Sequence, residues 1–425
     1  MKKRFLALTA LAFAATALAQ PVAPVWSLAA SEQPRLMQTL KSLVEIESGS
    51  TDRAGLDKLS ALVGERLKAL GGEVQYIEPA AADIPRRQGV PEKAEDIGRM
   101  VRATFKGTGS RRILLIAHMD TVYLAGTLAQ QPYRVEGGKA FGLGIADDKQ
   151  GVAMILHTVA MLQALKVKDY GTLTVLINGD EEIGSHASRR LLTRLGAEHD
   201  AVLSFEASRA ASDKIALATS GIASATLTVR GRASHAGGPP ENGVNALYEL
   251  SHQLLQLRGL SEPERGLKLT WTVAKAGVVR NMIPPLAEAW GDIRLRKASD
   301  LAGLEARIRD IIKRKLLPES EVDVKLENGR PPLEATEASR ALATHAQGIY
   351  KEIGKELVVD PNPEGGGTDA AYAGQETKAP VIERFGLQGF GAHSGNAEYV
   401  LIDSIQPRLY LATRMVMDVA QGKIR

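Results

Sequence analysis

Five short motifs of histidine and carboxylate residues each follow an apolar run in this 425-residue chain: His118-Met119-Asp120, Asp147-Asp148, Glu181-Glu182, Ser204-Phe205-Glu206 and Ala392-His393-Ser394. The apolar runs read as buried strands, and strand ends are where an open α/β sheet gathers its ligands. Two imidazoles and several carboxylates at one sheet edge repel each other, or sit neutral, unless cations hold them together. Zinc takes this mixture of nitrogen and oxygen ligands. The residue types therefore point to a zinc hydrolase. The chain has no cysteine, which excludes thiolate catalysis, disulfides and cysteine zinc sites. It also lacks the Gly-x-Ser-x-Gly elbow of a serine hydrolase.

The elements that must carry these motifs can be read from the apolar periodicity. Residues 113–117 form a continuous apolar run, as expected of a strand covered on both faces. Strands are also expected at 74–77, 101–105, 173–177 and 201–205, and helical spacing marks 32–47, 56–70 and 188–195. After Asp148 an amphipathic helix is expected, with Val152, Ile155, Leu156, Val159 and Leu162 on one face. The Pro- and charge-rich stretch 80–98 reads as a surface loop. This alternation predicts a mostly parallel, three-layer α/β domain. From residue 224 the order becomes strand, helix, strand, strand, helix, strand (224–229, 243–257, 267–273, 287–295, 301–316, 321–326), which is a ferredoxin-like unit. After Arg330-Pro331-Pro332 the α/β pattern resumes, with a helix at 339–353 and a strand at 380–383. The expected organisation is a catalytic domain at 20–219 and 331–425 with a unit inserted at 220–330.

Residues 1–19 read as a secretory signal: Lys2, Lys3 and Arg4, an apolar stretch, then Ala17-Leu18-Ala19. Removing its three basic residues lowers the net charge from +4 to +1. No basic, aromatic-interleaved patch suggests nucleic acid. The apolar stretch is too short to span a bilayer, and no later run approaches ~18 apolar residues. The expected destination is the periplasm or the medium, with no membrane anchor.

Taken in order, Ile116 to Val122, Gly142 to Lys149 and Gly179 to Ser185 resemble the di-zinc exopeptidases that include aminoacylase and succinyl-diaminopimelate desuccinylase. Ala233-Ser234-His235-Ala236-Gly237, Arg280 to Pro284 and Gly365 to Tyr372 extend the resemblance over nearly the whole chain. Within that family the chain is most similar to enzymes that remove a C-terminal glutamate. Two departures are visible, a longer loop at 85–98 and a different Gly238-Pro239-Pro240 turn.

The resemblance implies two zinc ions per subunit. His118 and Glu206 would complete one site, Glu182 and His393 the other, with Asp147 between them and a cis Asp147–Asp148 bond. Two such ions ~3.5–4 Å apart can share a water and make it nucleophilic near neutral pH. Glu181 would be the general base and Asp120 would orient His118. The inserted unit would dimerise, bringing His235, assisted by Asn281, across the interface as an oxyanion donor. Arg294 would pair with the substrate's terminal carboxylate and Lys214 with a glutamate side chain. Gly366 and Thr368, in the Gly365–Thr368 loop, would offer backbone N–H groups. The substrate implied is an N-acyl, peptidyl or folate-type glutamate conjugate. Two other readings stay open: a deacylase or dipeptidase of the same family, and an inactive periplasmic binding protein. His157 reads as a core residue, His199, His252 and His345 as surface residues, and none of these, nor His186, as a ligand.

Overall fold

The computed structural model describes residues 20–80, 93–395 and 397–424. The signal reading of residues 1–19, and most of the 80–98 loop, lie outside them. The apolar run after Arg111 forms strand Arg112–His118, with Ile113 to Ile116 buried. It lies inside a six-stranded sheet ordered Glu73–Ile77, Gly98–Lys106, Thr172–Gly179, Arg112–His118, Ala201–Ser204, Val381–Ile382. The last four strands run parallel, and Gly98–Lys106 alone runs against the others. His118 ends one of the parallel strands, and Glu181-Glu182, Glu206 and Glu383 follow the other three. All therefore leave the sheet at its C-terminal edge, which is how residues far apart in sequence reach one site.

Helix Gln150–Ala164 is buried along most of its length and all the way round, including Gln150 and His157. It packs between helices Ala23–Val44 and Ile405–Ala420. The expected polar face is absent because the helix is covered on both sides. His157 is satisfied there by Glu32 at 2.8 Å and Thr39 at 2.9 Å. His199, expected at the surface, is buried against the Leu195 carbonyl and Thr174. A second sheet, of short strands, joins Arg134–Glu136, Lys139–Phe141, Tyr399–Leu401, Gln388–Phe390 and Ser208–Arg209.

The strands Gly221–Arg230, Lys268–Ala276, Leu286–Leu295 and Glu321–Arg330 form an antiparallel sheet. Its order, with Glu321–Arg330 and Lys268–Ala276 at the edges and Gly221–Arg230 beside Leu286–Leu295 between them, is ferredoxin-like. Burial alternates along Gly221–Arg230, so one face carries helices Ala246–Leu257 and Asp300–Ile311 over a separate core that includes Leu227, Leu250, Ile293, Leu304 and Val324. Val273 on the edge strand, Val278 and Val279 beyond it, and Tyr248 and Leu255 on the helix face are exposed. Among the described residues no helix is long and apolar enough to cross a membrane.

One buried cation ties several loops of the larger unit together. Arg408, fully buried, pairs with Asp213 at Nε (2.8 Å) and donates to the Lys214 carbonyl (2.9 Å), the Ser208 hydroxyl (2.7 Å) and the Arg384 carbonyl (3.1 Å). Replacing it with methionine leaves Asp213 without its cationic partner, the Tyr350 hydroxyl at 2.9 Å remaining, and should destabilise the fold by about 3–5 kcal/mol. Urea unfolding measures this; a loss below about 1 kcal/mol would contradict the role.

Candidate metal centre

His118 turns its imidazole towards two carboxylates, with Nε2 3.0 Å from Asp147 and 3.4 Å from Glu206. His393 faces two more, with Nε2 3.3 Å from Asp147 and 3.0 Å from Glu182. The result is two triads, His118–Asp147–Glu206 and Asp147–Glu182–His393, in each of which the ligand atoms lie within 4.8 Å of one another. Asp147 belongs to both. The Asp147–Asp148 peptide bond is cis.

These groups fit divalent cations. Burial first, then the nearby Asp147 carboxylate, pushes Glu182 up to about 7. Hydrogen bonds to Asp147 and Glu182 push His393 up to about 11. Burial opposes charge on His118, yet Asp120, Asp147 and Glu206 hold its pKa well above the ordinary imidazole value. The carboxylates thus favour a positive charge, such as a proton, at each imidazole. Metal ions can take the place of those protons, since the ligand form of histidine is neutral. Two nitrogens and three carboxylates form a donor set suited to zinc.

Several buried groups fix the ligands. Asp120 accepts the backbone N–H groups of Glu181 and Glu182, each at 3.1 Å, and the Ser50 hydroxyl at 2.8 Å. Its Oδ1 also lies 3.3 Å from His118 Nδ1. It thus holds one ligand loop as well as facing the imidazole. Asp120→Asn should weaken metal binding about 10- to 100-fold; zinc titration reads this, and unchanged affinity would contradict it. On the opposite side Glu398 accepts the N–H groups of Ala146 (2.7 Å), Asp147 (3.0 Å) and Gly144 (3.1 Å) and the Tyr123 hydroxyl (2.6 Å). It clamps the loop that carries Asp147.

Glu181 is buried, and its carboxylate lies 2.5 Å from Arg330. Arg330 also donates to the Glu181 carbonyl at 2.7 Å and to Asp369 at 3.3 Å. Burial pushes the Glu181 carboxyl well above the usual range, against the pull of Arg330. Arg330 ends the last strand of the inserted sheet. Sequence reading took it only for a boundary marker.

A cleft of about 660 Å³ opens beside the cluster, lined by Glu181, Glu182, His186, Arg294, Gly366, Gly367 and His393 among others. Arg294 holds Asp292 at 2.8 Å and the Gly365 carbonyl at 3.0 Å. Gly366 and Thr368 line a smaller cavity against Asp147 and Glu206. Three expected residues stand elsewhere. Lys214 lines neither cavity; its ammonium is held by Glu364 and, at 3.4 Å, by Asp360. His235 and Asn281 lie together on exposed loops of the inserted unit, where Ala236 N–H donates to the Asn281 carbonyl at 3.0 Å. They face neither cavity of their own chain.

A profile of peptidase family M20/M25/M40 matches residues 114–418. The chain is 44% identical over 419 residues to carboxypeptidase G2 of Pseudomonas sp. (strain RS-16), covering 98% of this chain and 97% of that protein. Its fold is similar to that of the aminopeptidase PepT from Bacillus cereus ATCC 10987, with a TM-score of 0.74, 19% identity, and 91% and 99% of the two chains covered. It is also similar to the YXEP protein of Bacillus subtilis, described as a dinuclear metal binding peptidase, with a TM-score of 0.66, 15% identity, and 92% and 99% covered. With sequence, fold and ligand cluster in agreement, this chain belongs to peptidase family M20/M25/M40 and is a metallopeptidase.

Proposed function

We propose that this metallopeptidase is a two-zinc carboxypeptidase that removes a C-terminal amino acid, with glutamate preferred, from N-acyl or peptidyl substrates. The observation that carries the reading is Asp147, whose carboxylate serves both triads. His118 and Glu206 would complete one zinc site, Glu182 and His393 the other. When bound, the ions supply Lewis acidity and lower the pKa of the attacking water. Glu181, buried at the cleft against Arg330, takes the proton from that water and returns it to the leaving nitrogen. Asp120 keeps Glu181 and Glu182 in register through their N–H groups. Arg294 meets the terminal carboxylate, aided by backbone groups near Gly366 and Thr368.

His235 and Asn281 line neither cavity of their own chain. They would reach the oxyanion from a second copy, and the exposed apolar residues Val273, Val278, Tyr248 and Leu255 on the inserted unit support such a homodimer. The pattern in residues 1–19 supports export to the periplasm or medium.

A substrate panel tests the reading. N-acyl-glutamate should be hydrolysed faster than N-acyl-leucine, and its C-terminal amide should not be cleaved. Arg294→Ala should lower kcat/KM at least about 10-fold, the worth of one hydrogen-bonded charge pair. Equal cleavage of acid and amide would overturn the reading.

A further inference from the structure

Behind the crossing between the two units lies a groove of about 810 Å³, larger than the cleft of about 660 Å³ beside the metal cluster. Side chains alternate across a strand, and this puts the two spaces on opposite faces of the inserted sheet. Arg294 lines the cleft and Leu295 the groove; Glu327 lines the cleft and Asn328 the groove. The larger unit changes sides in the same way: Glu181 and Glu182 face the cleft, Arg189 and Arg190 the groove. The two crossings run side by side here. Thr219 N–H donates to the Leu333 carbonyl at 3.1 Å, and a side chain at Gly221 would meet Pro332 at 2.8 Å. The groove is thus walled by both units, and none of the metal triads lines it.

Its walls differ in character. One is cationic: helix Arg189–Glu198 presents Arg189, Arg190 and Arg194 to the groove. Two carboxylates, Glu198 and Glu376, also line it. Glu198 lies 4.0 Å from Arg194, whereas Arg189 forms no ion pair among the described residues. Arg330 reaches the groove as well, but Glu181 and Asp369 neutralise it. Positive charge is therefore in excess at the start of the helix. The other wall is apolar, made of Leu295, Pro331 and Pro332, with the Tyr372 ring beside it. That wall is stiff, because proline fixes its own φ and the Tyr372 hydroxyl donates to the Gly184 carbonyl at 3.2 Å.

We propose that this groove is a binding site for a small organic anion, an oxyanion head carried on a flat apolar body. The head meets Arg189 and Arg190, whose planar guanidinium groups match carboxylate and phosphate oxygens in two-pronged pairs. The body covers Leu295, Pro331 and Pro332. A cavity of this size suits a ligand with such a body, and a bare inorganic anion leaves the apolar wall uncovered. The occupant touches both units, so it ties the inserted unit to the larger one from the side away from the metal cluster. The inference does not depend on the proposed glutamate preference.

The test reads occupancy at the groove itself, apart from any anion held by zinc. Cysteine is absent from the chain, so Thr193→Cys gives a single thiol on the cationic wall. Its alkylation by iodoacetamide is followed in zinc-loaded protein with 1-naphthyl phosphate, inorganic phosphate or 1-naphthol, at constant ionic strength. 1-Naphthyl phosphate should slow labelling at concentrations where phosphate and naphthol have little effect. 1-Naphthoate, run alongside, distinguishes a carboxylate head from a phosphate, and protection by either supports the site. Adding Arg189→Gln should raise the half-protecting concentration about tenfold, the worth of one hydrogen bond to a charged group. No protection by either naphthyl anion overturns the inference. So does equal protection by naphthol, which marks a merely apolar patch, or by phosphate, which marks a bare anion site. An unchanged half-protecting concentration in Arg189→Gln overturns it too. If Thr193→Cys folds or labels poorly, Ala197→Cys, exposed on the same wall, carries the same comparison.

Discussion

Glu181→Ala should abolish most turnover while leaving the metal content of the protein unchanged. The expected loss is about 10²- to 10⁴-fold in kcat, the range for a positioned general acid–base. Geometry separates the two effects. Glu181 belongs to neither ligand triad, and its main chain is held independently by Asp120 and Arg330. Truncating its side chain therefore removes the proton carrier without dismantling the cluster. Glu181→Gln, which keeps the shape and loses the charge, should match the alanine variant. Metal analysis beside single-turnover kinetics checks the pair. Full activity in either variant would remove Glu181 from the mechanism, and loss of metal would make it a ligand support instead.

The second large effect is expected at Asp147. Because its two carboxylate oxygens face different histidines, Oδ1 towards His118 and Oδ2 towards His393, Asp147→Ala should empty both sites. Glu206→Ala touches one triad only and should retain about one ion per chain. Activity should fall at least about 10³-fold with Asp147→Ala, matching the several kcal/mol of charge stabilisation the ions supply. Chelation of the natural protein should do the same reversibly, with activity returning on zinc addition. Retention of one ion by the Asp147 variant would show that the sites are independent.

Much of this site was legible in the sequence because its motifs follow strands that run parallel, so sequence order alone sends His118, Glu182 and Glu206 to one sheet edge. The resemblance to di-zinc exopeptidases, drawn from those motifs, agrees with the family match. The ferredoxin-like unit was legible for a different reason: its strands are long and half-buried, giving the alternation seen along Gly221–Arg230. Other features left no local signal. Arg330 meets Glu181 across 149 positions, and Glu398 reaches Asp147 across 251; such pairs exist only after folding. Helix Gln150–Ala164 has no polar face to read because it is covered all round; His157 is buried there, as expected, whereas His199, expected at the surface, is buried too. The second sheet is built from strands of two or three residues, too short to show a period. Lys214 was legible as a cation, but its engagement by Glu364 was not.

The most direct test is a crystal structure of the zinc-loaded protein with anomalous data collected at the zinc edge. Two peaks are expected in each chain, on either side of the Asp147 carboxylate, one against His118 and Glu206 and the other against Glu182 and His393. A single peak, or peaks that do not touch Asp147, would contradict the account.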